Sequence, residues 1–142
     1  QQGALLAAKV QADKGQADAA LATLGWVAEN AGEDELRSIA RLRAAGLLLD
    51  QKKFDEALKQ LDAAQQGKPR EFDALIADRR GDILAAQGKR AEAVTAYQAA
   101  YKAMDAKTEY RTLVEAKLTS LGAAPAPETA AITAVTSSGA AK

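Results

Sequence analysis

Gly15-Gln16-Ala17-Asp18-Ala19-Ala20, Lys52-Lys53-Phe54-Asp55-Glu56-Ala57 and Gly88-Lys89-Arg90-Ala91-Glu92-Ala93 are three copies of one short phrase. Each opens on residues that suit a turn and closes on an Ala, and each separates two stretches whose apolar residues recur at three- and four-residue steps. The copies are 37 and then 36 residues apart. A turn between two amphipathic helices, repeated at that period, marks a stack of helical hairpins in which each unit buries its apolar face only against its neighbours. The closing Ala then belongs where the two helices of a hairpin cross, so Ala20, Ala57 and Ala93 are the expected crossing points. Such an array works by presenting a surface, and binding is the function it suggests.

Composition narrows the field. In 142 residues 48% are apolar, largely Ala and Leu, the strongest helix formers, and six aromatics are few for a sandwich or barrel. The 19 basic and 19 acidic residues cancel, so there is no excess of cations to neutralise a run of phosphates, and nucleic acid is not an expected partner. With no His and no Cys, the commonest general base, the usual zinc ligands, thiolate chemistry and disulfides all drop out. No apolar run approaches the roughly 20 residues of a membrane span.

The periodicity predicts seven helices, at about 2–13, 17–30, 34–50, 54–66, 69–87, 90–103 and 108–121. Gly15 suits a left-handed helix end, and Pro69 in Gly67-Lys68-Pro69 suits the first turn of helix five, where its missing N–H has no partner to lose. Lys52 stands where the other two turns have Gly; a left-handed backbone there costs up to about 1 kcal/mol. The fold class is therefore all-α, a tetratricopeptide-like solenoid of about three hairpins over residues 1–121. The last amphipathic helix, with Leu113, Val114, Leu118 and Leu121, caps the open end. Residues 122–142 are rich in Ala, Thr, Ser and Pro and bury too little to offset their ordering entropy, so no stable fold is expected there.

Several phrases are more specific than the repeat. Leu24-Gly25-Trp26-Val27-Ala28-Glu29-Asn30, Ile39-Ala40-Arg41-Leu42-Arg43-Ala44-Ala45 and Arg80-Gly81-Asp82-Ile83-Leu84 resemble the YfgM family, the ancillary subunits of the SecYEG translocon, with a likeness that covers about residues 15–104. The resemblance implies a bacterial inner-membrane protein with an N-terminal anchor and a periplasmic helical domain. Its implied partners are proteins, the translocon and periplasmic chaperones. The alternative is a generic cytosolic scaffold that clamps a peptide segment.

In tetratricopeptide arrays the first helix of each hairpin lines the concave face. Counting back from the turns places Ile39, Leu42, Arg43, Gly46 and Leu49 there, with Leu75, Asp78, Arg79 and Asp82 from the next hairpin. Leu42, Arg43, Gly46, Leu49, Asp78, Arg79 and Asp82 are the candidate partner-binding residues. A competing arrangement buries Leu42 and Leu49 under helix seven and pairs Arg43 with Asp78 or Asp82. Trp26 is expected to pack against the next hairpin, with a partner anchor as the alternative. Glu33-Asp34-Glu35 lacks the interleaved Gly and distal Glu of a calcium loop and fits the positive end of helix three. Asp78 and Asp82 share a helix face, as paired catalytic carboxylates do, but neighbouring arginines favour both ionised forms and make neither a good general acid. No enzyme activity, metal or cofactor is expected.

Overall fold

The computed structural model describes residues 2–67, 70–105 and 108–124. Seven α-helices follow in order: α1 Gln2–Asp13, α2 Ala17–Asn30, α3 Asp34–Asp50, α4 Phe54–Gln65, α5 Asp73–Ala86, α6 Arg90–Ala103 and α7 Glu109–Ser120. The fold is all-α, with no strand among the described residues. Helix five begins later than expected, because Arg70–Phe72 forms a separate 3₁₀ turn ahead of Asp73. Pro69 and residues 125–142, on which two of the expectations fall, lie outside the described residues.

The turns set the register. Gly15, Lys52 and Gly88 have φ of 78°, 62° and 79°, so all three repeats close their first helix on a left-handed residue. The next N–H reaches back to the fifth residue before it: Gln16 to Gln11 O (2.8 Å), Lys53 to Leu48 O (2.9 Å) and Lys89 to Leu84 O (2.9 Å). These are the paired bonds of the Schellman motif, which satisfy carbonyls left open at a helix end. A fourth copy was not anticipated. Gly122 has φ 77°, and Ala123 N–H donates to Leu118 O at 2.9 Å. Helix α7 thus ends as α1, α3 and α5 do, and it is the first helix of a hairpin left incomplete in the described chain.

Packing follows from the same register. Ala20, Ala57 and Ala93 are each 0% exposed, as expected of crossing points between the helices of a hairpin. The core runs in three successive clusters. Leu5, Ala8, Leu24, Val27 and Ala40 join α1 to α3; Ala45, Leu48, Leu61 and Ile76 join α3 to α5; Leu84, Tyr97, Val114 and Leu118 join α5 to α7. Each cluster uses elements adjacent in the chain, as a solenoid requires. At the position where α1, α3 and α5 carry Ala8, Ala45 and Gly81, α7 carries Glu115. Arg80, at a site where an apolar residue is usual, pairs across to α4, 2.9 Å from Asp62 and 3.1 Å from the Gln65 side-chain oxygen.

Candidate functional site

The first helices of the hairpins leave an open groove of about 660 Å³ between them. Its walls include Ile39, Leu42, Arg43, Gly46 and Leu49 of α3, Leu75, Arg79 and Asp82 of α5, and Ala8, Lys9 and Ala12 of α1. Phe72 of the 3₁₀ turn, Leu47 and Asp50 of α3 and Leu24 of α2 complete it. No residue of α7 lines the groove. The arrangement in which α7 covers Leu42 and Leu49 is therefore not the one adopted; both pack partly buried against the second core cluster.

Six of the seven candidate residues, Leu42, Arg43, Gly46, Leu49, Arg79 and Asp82, lie on the groove wall. Asp78 does not. It is 0% exposed and faces α7, where Lys117 Nζ lies 2.9 and 3.2 Å from its two carboxylate oxygens and the Tyr110 hydroxyl donates to it at 2.6 Å. A buried carboxylate is tolerated only with such partners, which makes Asp78 part of the joint between α5 and α7. Counting from the turn gave its helix correctly but missed the α7 side chains that claim it.

Asp82 and Arg79 belong both to this joint and to the groove. Asp82 accepts a 2.5 Å hydrogen bond from the Tyr97 hydroxyl and lies 3.0 Å from Lys117 Nζ; Arg79 is 3.4 Å from Asp78 and 3.6 Å from Asp82. Burial, then the hydrogen bond each donates to a carboxylate, pushes the Tyr97 and Tyr110 hydroxyls well above the usual tyrosine range. Both phenols therefore stay protonated donors. The network places two carboxylates against two cations and ties α7 to α5.

The remaining charges on the groove are different. Lys9, Arg43 and Asp50 make no ion pair or side-chain hydrogen bond among the described residues, so the expected pairing of Arg43 with Asp78 or Asp82 does not form. Gly46 is also unengaged, since a Cβ built on it would meet nothing within 4 Å. Lys9, Asp50 and Phe72 were not among the sequence candidates. Lys9 was hidden because α1 is too Ala-rich to show which face it buries.

Trp26 is 52% exposed and does not pack into the next hairpin. The hydrogen bond from Thr23 Oγ1 to Gln11 Oε1 (2.9 Å) fixes the side of α2 that borders α1, and Trp26 lies one turn further along that side. Leu6 and Val10 on the outer face of α1 are 63% and 43% exposed, so the first hairpin carries three of the four large apolar residues exposed among the described residues. At the start of α3, Asp34 lies 3.7 Å from Arg37, one turn on.

A family model described as a tetratricopeptide repeat-like domain matches residues 1–123. The ancillary SecYEG translocon subunit of Neisseria gonorrhoeae (strain ATCC 700825 / FA 1090) is 35% identical over 120 residues, covering 84% of this chain and 56% of that relative. The chain thus spans about half the length of the curated relative it matches. No solved structure matches it. Period, turn geometry and family match agree, and the chain belongs to the tetratricopeptide repeat-like family and, within it, to the YfgM group.

Proposed function

We propose that this chain is a non-catalytic protein-binding module of an ancillary translocon subunit and that it holds polypeptide segments in the groove between α1, α3 and α5. The observation that carries the reading is the open groove itself, with apolar Leu42, Leu49 and Leu75 beside unpartnered Lys9, Arg43 and Asp50. A solenoid that needed these residues only for its own stability would cover them. In this reading the domain sits at the bacterial inner membrane, which resemblance to the translocon subunit supports, and there it faces the periplasm and links the translocon to periplasmic chaperones. Among the described residues no helix is long and apolar enough to cross a membrane, so the anchoring in this reading rests on the relative. The binding unit is residues 1–121 together with the Gly122 turn, and residues 122–142 otherwise play no part in it.

The test is site-specific photo-crosslinking in membranes that contain the translocon, with the crosslinker placed at Leu42 or Leu49 and, as a control, at exposed Glu29 on α2. Crosslinks to translocon or chaperone proteins are expected from the two groove positions and not from the control. Equal or stronger crosslinking from Glu29 moves the binding surface off the groove.

A further inference from the structure

We infer that the groove selects segments by a pair of charges: it takes an extended, mainly apolar stretch that presents an acidic side chain to Arg43 and a basic one to Asp50. This rests on the groove reading above and adds the chemistry of the segment. Arg43 and Asp50 are seven residues apart on α3, two helical turns, so they share its groove face about 10 Å apart along the axis. Neither has an ion-pair partner among the described residues, whereas the α5 charges on the wall are engaged: Arg79 with Asp82, and Asp82 also with Lys117.

Two local choices on that face work against the free helix. Gly46, between the two charges, is a poorer helix former than Ala and weakens α3. No contact explains it, unlike Gly81, which makes room for an aromatic ring. Asp50 sits in the last turn, at the negative end of the helix dipole, where no basic residue accompanies it. Departures from good helix chemistry that share one face and have no internal compensation are expected where a ligand completes the site. A passing backbone fills the space at Gly46, and a cation on the segment neutralises Asp50.

The spacing also favours an extended conformer. A polyproline II chain rises about 3.1 Å per residue with three residues per turn, so side chains three apart lie on one side about 9 Å apart and match the two charges. Lys9 adds a further unpartnered cation to the wall, so an acidic residue counts for more than a basic one.

Fluorescence anisotropy at low ionic strength tests this with three labelled peptides of one Leu/Ala framework, carrying Glu and Lys three residues apart, two Glu, or two Lys. The Glu/Lys peptide is expected to bind best, the Glu/Glu peptide second and the Lys/Lys peptide last. Each matched charge is worth about three- to fivefold, as for partly exposed ion pairs. Arg43→Glu should shift the preference to Lys/Lys and Asp50→Lys to Glu/Glu, while Gly46→Leu weakens all three, with circular dichroism confirming the fold of each variant. Equal binding of the peptides, or charge reversals that leave their order unchanged, overturns the charge selection and leaves the groove standing. Absence of binding to any peptide, or binding indifferent to Gly46→Leu, overturns both.

Discussion

A Cβ atom on Gly81 would lie 2.5 Å from Cδ1 and Cε1 of the Tyr97 ring. The turn register shows why. Ala8, Ala45 and Gly81 are equivalent positions on the first helices, and Leu24, Leu61 and Tyr97 are equivalent on the second; all six are buried. The third hairpin exchanges an Ala facing Leu for a Gly facing Tyr, and the ring gains a hydroxyl that reaches Asp82.

Gly81→Ala should therefore destabilise the fold by about 1–3 kcal/mol through overpacking, although Ala is the better helix former by about 1 kcal/mol. Adding Tyr97→Leu restores the Ala and Leu pairing of the other hairpins. The double variant should be more stable than the sum of the single changes allows, less the lost hydrogen bond to Asp82. Urea unfolding of the four proteins measures the coupling, and simple additivity would break the proposed equivalence. Ala57→Leu and Ala93→Leu, both at fully buried crossing points, should each cost about 1–3 kcal/mol in the same assay.

Lys52 has φ 62° where its three counterparts are glycines. Lys52→Gly relieves the Cβ strain at an exposed position without removing a side-chain contact, and should stabilise by up to about 1 kcal/mol. Thermal melting of the variant at or below the wild-type midpoint would show that the unfolded-state entropy added by Gly outweighs the relief.

The repeat, the seven helices and the crossing alanines were legible because each depends on local pattern: turn chemistry, periodicity and a small residue at a fixed offset. The fourth turn was missed since Gly122 is followed by Ala123-Ala124-Pro125, which does not continue into the Asp/Glu-Ala pattern of the other phrases. Most of the groove was legible for the same reason as the helices, once the turn fixed which face of α3 and α5 is concave. Asp78 and Trp26 were not, because their fates depend on long-range partners. Lys117 lies 39 residues from Asp78, and no periodicity announces it. Trp26 lacks the neighbour that hairpin position alone suggested.

The joint between α5 and α7 should be costly to open from one side. Lys117→Met strips the buried Asp78 of its closest cation. It should cost about 3 kcal/mol, at the low end for a carboxylate left behind, because Arg79 and Tyr110 remain beside it. Adding Asp78→Asn removes the stranded charge and should recover part of that loss. A Lys117→Met protein with wild-type stability would mean that the network contributes nothing to holding the cap.

The same joint gives the fold an alkaline limit. Tyr97 and Tyr110 have hydroxyls raised in the folded state, so above the ordinary tyrosine value of about 10 the unfolded chain loses protons that the folded chain keeps. Their contribution is complete below that pH and declines as pH rises past it. Wild-type melting temperature should fall from about pH 10 upward more steeply than that of the Tyr97→Phe, Tyr110→Phe protein. Identical slopes for the two proteins would place the alkaline titration elsewhere.

Leu42 connects the groove to function with the least disturbance of the fold. It is partly buried on the second cluster, and no residue of α7 lines the groove beside it, so Leu42→Glu places a carboxylate in the apolar part of the wall while the third cluster, which joins α5 to α7, keeps its packing. Far-ultraviolet circular dichroism should show unchanged helical content. Capture of translocon proteins from solubilised membranes should fall, because a segment that buries apolar side chains against Leu42 would have to desolvate the new charge. Truncation after Ala124 keeps every described groove residue and the Gly122 turn, and should change neither readout. Full capture by a folded Leu42→Glu protein would shift attention to the exposed Leu6, Val10 and Trp26 of the first hairpin.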